Sequence, residues 1–133
     1  QTAVVGADWA IVITMPEVAA VRDADKIIGK LLADDKKVKL VVNRIRPEIV
    51  ARGDMLTMED IDDTLGVERI GHIPDDTAVI DAANVGVPVV ENENSQAGKA
   101  YRNLVGRIMG ETIPFMELSG PGFFDRLKAL FGR

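Results

Sequence analysis

Two glycine–lysine pairs are the first residues whose types could do chemistry, because a phosphate-binding loop ends in glycine, lysine and then serine or threonine. The pairs are "GKL" at residues 29–31 and "GKA" at residues 98–100. Both have the wrong residue after lysine, and both fall inside predicted helices rather than in a glycine-rich loop. We therefore expect that this chain alone does not hydrolyse a nucleoside triphosphate.

Polar residues also follow two predicted strands. Asn43 comes directly after the apolar run Val38–Val42, and Pro74, Asp75 and Asp76 come after the next strand. Open α/β sheets bind ligands at the carboxyl ends of their strands, and a side-chain amide can both donate and accept a hydrogen bond. From the residues alone, Asn43 is either a turn residue or a ligand contact, and either aspartate could be a helix cap.

The remaining titratable residues favour structural roles. The chain has one histidine and no cysteine, which excludes a multi-histidine metal centre and a thiolate site. His72 lies in a predicted strand, and we interpret it as a strand residue rather than a catalyst. Asp23 and Asp25 alternate with basic residues and predict a solvated helix face, with a partner contact as the alternative. The acidic run at 58–63 lacks calcium-loop spacing, so we predict no metal site.

Composition limits the class of protein. The 133 residues are 47% hydrophobic, which fits one globular domain, and the net charge of −5 argues against nucleic acid as a partner. No apolar run is long enough to span a bilayer. The first residue is Gln1 rather than methionine, and we expect the chain to be part of a longer protein. We divide it into a nucleotide-binding half-domain (1–110), a linker (111–120) and a terminal helix (121–133).

Strand and helix patterns alternate along the first 110 residues. Three short segments predict strands at 10–14, 38–42 and 68–73. The first two are mostly apolar and β-branched, as is typical of buried parallel strands. Predicted helices cover 16–33, 57–65, 76–85 and 96–109, with loops elsewhere and a brief extended piece at Pro88. The predicted fold class is α/β: part of a doubly wound, mainly parallel sheet with flanking helices, plus a C-terminal amphipathic helix.

The terminal helix carries an apolar stripe with cations beside it. At 100° per residue, five large apolar side chains fall within an arc of about 120°, flanked by one cation on each side: Phe123, Phe124, Leu127, Leu130 and Phe131, with Arg126 and Lys128. Such a helix can lie in the interface of an anionic membrane. It could also dock on the protein's own core or in a groove of a protein partner.

Four segments together resemble the C-terminal half of the MinD group in the MinD/ParA family of deviant Walker A, P-loop ATPases. They are "ITMPEVAAVRDADKIIG", "VVNRIRPEIVARGDMLTMEDIDDTLGVERIGHIPDD", "AANVGVPVV" and "SQAGKAY", in family order and spacing. The resemblance runs from about residue 7 to the end. It implies a homodimer that holds ATP and Mg between subunits, lies peripherally on the cytoplasmic face of the cell membrane, recruits the division inhibitor MinC and is stimulated by MinE.

The resemblance also assigns residues. It implies that Asn43 contacts adenine and that Ile73, Pro74 and Asp75 pack on the adenine side. The family's phosphate-loop lysine, magnesium-binding hydroxyl residue and switch aspartates lie upstream of Gln1, so the nucleotide site here is incomplete. Three functions stay open at this point: part of a division-site ATPase, a non-catalytic module that binds membrane or a partner, and a related ATPase that positions another cargo such as flagella.

Overall fold

The computed structural model describes residues 5–118 and 131–132. Its strands and helices alternate over most of the chain. In chain order they are β1 (Trp9–Thr14), α1 (Val18–Ala33), β2 (Lys37–Ile45), α2 (Pro47–Ala51), α3 (Met58–Leu65), β3 (Glu68–Pro74), α4 (Thr77–Val85), a short 3₁₀ helix (Val89–Glu91) and α5 (Gln96–Ile108). This order confirms the predicted α/β class.

The three strands form one parallel sheet in the order β1-β2-β3. The β1–β2 register is regular from Trp9 opposite Lys37 to Thr14 opposite Val42. The β2–β3 register is irregular after Leu40 and again before Ile45, which lies opposite Pro74. Because all three strands run the same way, their carboxyl ends meet at one edge of the sheet.

Helices cover both faces of the sheet. On one face, α1 and α3 pack against alternate strand residues in a single apolar cluster, which includes Val12, Leu40, Val42, Ile28 and Ile61. On the other face, Val41 and Ile70 pack against Ala97 and Ala100 of α5. Since neighbouring residues of β2 serve opposite faces, its near-continuous apolar sequence is explained by burial on both sides.

The edge strand β1 leaves apolar surface in the open. Trp9, Ile11 and Ile13 alternate along it, and their side chains are 43%, 38% and 65% exposed. The three share one face of β1 because side chains alternate across a strand, whereas Val12 points into the cluster beneath α1. The face of β1 opposite α1 is therefore incompletely covered within the described residues.

Helix ends follow the predicted chemistry. Thr57 Oγ1 accepts from the backbone N of Asp60 at 3.0 Å, and Asp60 Oδ2 accepts from the backbone N of Thr57 at 3.1 Å. This reciprocal pair is a capping box at the start of α3. Gly66 and Gly86 end α3 and α4 with φ of 63° and 72°, a left-handed conformation that glycine adopts without strain.

Three local predictions were wrong. Strand β2 continues to Ile45, because Ile45 is buried in the core and holds the chain against β3 beyond the polar pair that precedes it. The predicted loop after it contains α2, which Pro47 starts with its fixed φ. Residues 89–91 form a 3₁₀ helix where an extended piece was predicted, and Pro88 alone keeps an extended conformation.

Residues 111–118, which belong to the predicted linker, contain no helix or strand but contact the sheet on both faces. Met116 packs against the cluster beneath α5, and Leu118 packs against the cluster beneath α1 and α3. The segment therefore passes from one face of the sheet to the other.

Candidate functional site

The carboxyl edge of the sheet brings the ends of β2 and β3 together. The backbone N of Asp75 donates to the carbonyl of Ile45 at 2.8 Å, directly beyond the point where Pro74 lies opposite Ile45. Asn43 lies two residues before Ile45 on the same strand. The predicted residues Asn43, Pro74 and Asp75 thus share one sheet edge, as the positions of their strands require.

Asn43 is placed within β2 rather than just beyond it, which corrects the predicted strand end. It is half-buried, and its side-chain Oδ1 accepts from the backbone N of Arg44 at 2.9 Å. Arg44 has a φ of 55°, in the left-handed region where non-glycine residues are uncommon. This local turn of the backbone coincides with the irregular register before Ile45. A small cavity of about 190 Å³ lies beside Asn43, lined also by residues of β1 and α1.

Asp75 is held to the end of β2 by two guanidinium groups. Arg46 Nε donates to Asp75 Oδ2 at 2.8 Å, and Arg44 Nε lies 3.7 Å from Asp75 Oδ1. The hydrogen bond to Asp75, followed by its negative charge, raises the pKa of Arg46. Both arginines are largely exposed, so the pairs are worth little in stability. Their effect is to fix where the loop after β3 lies.

Asp76 is the helix cap, which decides between the two aspartates that the sequence left open. Its Oδ1 accepts from Ala78 N at 2.9 Å and so caps α4. Its Oδ2 accepts from Ser95 Oγ at 2.7 Å and from Ala97 N at 3.1 Å, at the start of α5. Burial raises the pKa of Asp76, but the hydrogen bonds from Ser95 and the backbone together outweigh burial and leave the pKa below its ordinary value.

His72 is a buried strand residue, as predicted. Arg69 Nη1 lies 2.9 Å from His72 Nδ1, and His72 Nε2 lies 2.9 Å from the carbonyl of Met116. Because a guanidinium only donates, Nδ1 must accept and Nε2 must carry the proton. Burial, then the charge of Arg69, lowers the pKa of His72, which keeps the ring neutral and suited to both bonds.

A second cluster, which the sequence did not indicate, holds residues 113–116 against the β3–α5 side of the sheet. We call these four residues the strap. Arg107 of α5 donates to three main-chain carbonyls: from Nε to Ile113 at 2.9 Å, from Nη2 to Pro114 at 3.1 Å and from Nη1 to Ile70 at 3.1 Å. One side chain thus connects the strap to β3.

Phe115 fills the centre of this cluster. The guanidinium carbons of Arg69 and Arg107 lie 4.5 Å and 4.1 Å from its ring centroid, and the His72 ring is 4.8 Å away. Asp62 binds Arg69 through two hydrogen bonds of 2.8 Å and 3.0 Å and offsets part of the positive charge. The available signal in the sequence was the apolar run of residues 113–116, which a linker exposed to solvent does not need.

The remaining predictions concern the charged face of α1, the terminal helix, and metal or membrane-spanning sites. Asp23 lies 3.6 Å from Lys26 and both side chains are 75% exposed, which confirms a solvated helix face. Of the predicted terminal helix, Phe123, Phe124, Arg126, Leu127, Lys128 and Leu130 lie outside the described residues. Phe131 is described, and its side chain is 81% exposed. Over residues 5–118 and 131–132, neither a cluster of three metal-binding side chains nor a helix able to cross a membrane is found.

No protein-family model matches the chain, but individual proteins do. It is 42% identical to the septum site-determining protein MinD of Bacillus subtilis over 137 residues, and 41% identical to that of Thermotoga maritima over 140 residues. These matches cover 99% and 100% of the chain but 51% of each relative. The chain therefore spans about half the length of the curated relatives it matches, and it is homologous to their C-terminal half.

Solved structures agree with the sequence matches. The MinD cell division protein of Aquifex aeolicus has a TM-score of 0.80 and 45% identity, over 84% of this chain and 48% of that one. The MinC:MinD complex of the same organism gives 0.81 and 44%, over 86% and 47%. A Pyrococcus horikoshii MinD complexed with Mg-ADP shares the fold, with a TM-score of 0.69 at 21% identity.

Proposed function

We propose that this chain acts as the C-terminal half of a MinD-type ATPase, which places the bacterial division site through ATP-dependent dimerisation and reversible membrane binding. The observation that carries the proposal is the match to MinD over the whole chain, at 41–42% identity to two bacterial proteins. Because the chain matches only about half the length of these relatives, we expect the complete activity to require this half together with a half that binds phosphate.

The nucleotide part of the proposal concerns the carboxyl edge of the sheet. Asn43, Pro74 and Asp75 would lie on the adenine side, where the amide of Asn43 can pair with a ring nitrogen and an amino group. Oδ1 accepts one hydrogen bond, from Arg44 N, and has a second lone pair that could accept from the amino group of the base. These residues fit a base rather than phosphates, since backbone cradles for phosphate are formed by glycine-rich loops. ATP and Mg would bind when the other half is present.

The open face of β1 supports the half-domain interpretation. A parallel sheet is normally covered on both faces and extended on both sides of its central strands. Trp9, Ile11 and Ile13 expose apolar side chains on one face of the edge strand β1. Another parallel strand could pair with β1, and the helix connected to such a strand could cover this face. We assign that place to the half that carries the phosphate loop.

The membrane part of the proposal rests on the terminal sequence. Five apolar side chains of the helix predicted at 121–133, half-inserted, would contribute roughly 4–7 kcal/mol before the cost of ordering the segment. One helix then binds an anionic surface weakly, and two helices on an ATP-bound homodimer bind far more tightly, because the second insertion is intramolecular. The protein would thus be cytoplasmic and peripheral on the inner face of the cell membrane.

Partners follow from the relatives. The Aquifex aeolicus MinD was solved as a complex with MinC, and we propose MinC as a partner here. MinE is proposed from the family resemblance. The net charge of −5 disfavours nucleic acid. A non-catalytic module that binds membrane or a partner is the second candidate, favoured by the lack of a phosphate loop in these 133 residues.

Complementation tests the proposal directly. The 133-residue chain is mixed with the separately expressed first half of Bacillus subtilis MinD, and ATP hydrolysis is measured with and without anionic vesicles. We expect hydrolysis only in the mixture, and less of it when Asn43→Ala replaces the parent chain. If the two halves co-purify but the mixture neither binds nor hydrolyses ATP, the ATPase proposal is wrong and the non-catalytic module remains.

A further inference from the structure

The groove between β3 and α5 recognises the strap by a definite set of contacts. Arg107 and His72 bind the main-chain carbonyls of Ile113, Pro114 and Met116, each at 2.9–3.1 Å. The ring of the intervening residue, Phe115, lies against two guanidinium groups. The groove thus binds three main-chain carbonyls of the strap and contacts the one aromatic side chain between them.

The surface of α5 is shaped to admit the strap. Gly106 faces the strap, and a Cβ at that position would collide with Cδ1 of Ile113 and approach a side-chain oxygen of Glu111 to 3.0 Å. Glycine is less favourable than alanine in the interior of a helix. Close packing of the strap against α5 accounts for its presence.

We propose that this groove is an exchangeable interaction site, and that its partner is the strap of a second copy of this chain. No strand pairing joins the strap to β3 among the described residues. Side chains of the groove make the contacts, so the groove accepts the same segment equally well from its own chain or from another. The proposal does not depend on nucleotide binding.

The connection to the strap favours exchange with a second copy. Gly110 follows Met109, the C-cap of α5, and has a φ of 92°. It lies three residues before Ile113, so a change of backbone conformation at this one residue can redirect the strap. Exchange of an identical element is a low-cost route to a dimer, because both arrangements make the same contacts. The chain's own strap has an effective concentration on the order of millimolar, so the parent stays closed at micromolar concentration.

Two complementary variants test the exchange in the full 133-residue chain. Arg107→Ala damages the groove but keeps the strap, and Phe115→Ala damages the strap but keeps the groove. Mixed together, they can form a heterodimer with one intact groove–strap pair, which neither variant forms alone. Arg102→Ala is the matched control, since Arg102 also lies on α5 and donates to main-chain carbonyls, but to those of Val90 and Asn92.

Native mass spectrometry and light scattering measure the species at equal concentrations. We expect the Arg107→Ala and Phe115→Ala mixture to give a heterodimer, while each variant alone and a mixture of Arg102→Ala with Phe115→Ala at the same concentration give less. Association through the open face of β1 would occur equally in the parent and in every variant. An equal amount of dimer in all samples, or none in the complementary mixture, would overturn the proposal.

A peptide provides a second measurement. The synthetic peptide ETIPFMEL, the sequence of residues 111–118, is added to Phe115→Ala, or to Phe115→Leu if the alanine variant does not fold. Trp9 is the single tryptophan and lines the same cavity as Phe115 and Arg107, so its fluorescence reports binding. We expect alanine in place of the peptide's phenylalanine to weaken binding about 10- to 30-fold, because two guanidinium–ring contacts are lost. Equal affinity of this peptide and its alanine variant would refute the proposed role of the phenylalanine ring in binding to the groove.

Discussion

Alanine in place of Gly29 is expected to stabilise the protein, whereas alanine in place of Gly98 is expected to destabilise it. Both lie in α-helices and both precede lysine. Glycine costs about 0.5–1 kcal/mol relative to alanine in a helix interior, so helix propensity alone predicts that alanine stabilises either position. The surroundings of the two residues separate them.

At Gly29, an added Cβ would meet no atom within 4 Å. We expect Gly29→Ala to raise the free energy of unfolding by about 0.5–1 kcal/mol, the full gain in helix propensity.

At Gly98, an added Cβ would lie 2.5 Å from the carbonyl oxygen of Val89 and 3.0 Å from that of Asn92. These are backbone atoms of the 3₁₀ helix and the turn after it, which cannot rotate away as a side chain can. Overpacking of this kind costs typically 1–3 kcal/mol, and the rigid backbone places this site at or above the upper end. After the propensity gain of about 1 kcal/mol is subtracted, we expect Gly98→Ala to destabilise by about 2 kcal/mol or more.

Urea unfolding followed by circular dichroism measures both variants beside the parent. The two free energies of unfolding are expected to differ by about 2.5 kcal/mol or more, with unchanged dependence on urea concentration if the folded state is kept. A neutral or stabilising Gly98→Ala would mean that α5 and the 3₁₀ helix are not in close contact, and would refute the packing argument.

Further predictions concern the helix cap, the buried histidine and the terminal helix. Asp76→Ala should destabilise by about 2–4 kcal/mol, because α4 loses its cap and because Ser95 Oγ and Ala97 N at the start of α5 lose their acceptor. A double-mutant cycle with Ser95→Ala should show coupling in urea unfolding, and strict additivity would contradict the hydrogen bond between the two side chains. Because the pKa of Asp76 is lowered in the folded state, this contribution is present above about pH 4 and is lost as pH falls below it. The pKa of His72 is also lowered, so the unfolded state binds more protons than the folded state below about pH 6.5, and stability falls as the pH drops below this value. This fall of the urea midpoint with decreasing pH should be lost in His72→Gln. A fall equal to that of the parent would count against a neutral His72. Leu127→Glu, or a chain that stops at Gly120, should no longer float with anionic vesicles, whereas the parent floats weakly; equal flotation of all three would exclude the terminal helix as the anchor.

Much of the fold could be predicted because a strand that is buried on both faces has a mostly apolar sequence. Val38–Val42 is apolar at every position except Lys39, and the caps Thr57 and Ser95 stand where side-chain oxygens satisfy free backbone N–H groups. The end of β2 could not be predicted in the same way. The polar residues Asn43 and Arg44 interrupt the apolar run, and the burial of Ile45 against β3 keeps the strand going.

The candidate site was predictable only in part. The positions of Asn43, Pro74 and Asp75 follow from parallel strands ending at one edge, and their proposed role with adenine came from the resemblance. Phe115 contacts Arg107, which is eight positions away in the sequence, and Arg69, which is 46 positions away. No local period marks such a contact, because the residues meet only after α5 has packed on β3.

The adjacent carboxylates Asp75 and Asp76 have a mechanical consequence. Asp75 is fastened to the end of β2 by Arg46, and Asp76 is fastened to the first turns of α4 and α5. A single peptide bond therefore links the edge of the sheet to two helices. Any ligand that displaces Asp75 therefore acts on the residue next to the cap of α4, and that cap, Asp76, also accepts hydrogen bonds from the start of α5.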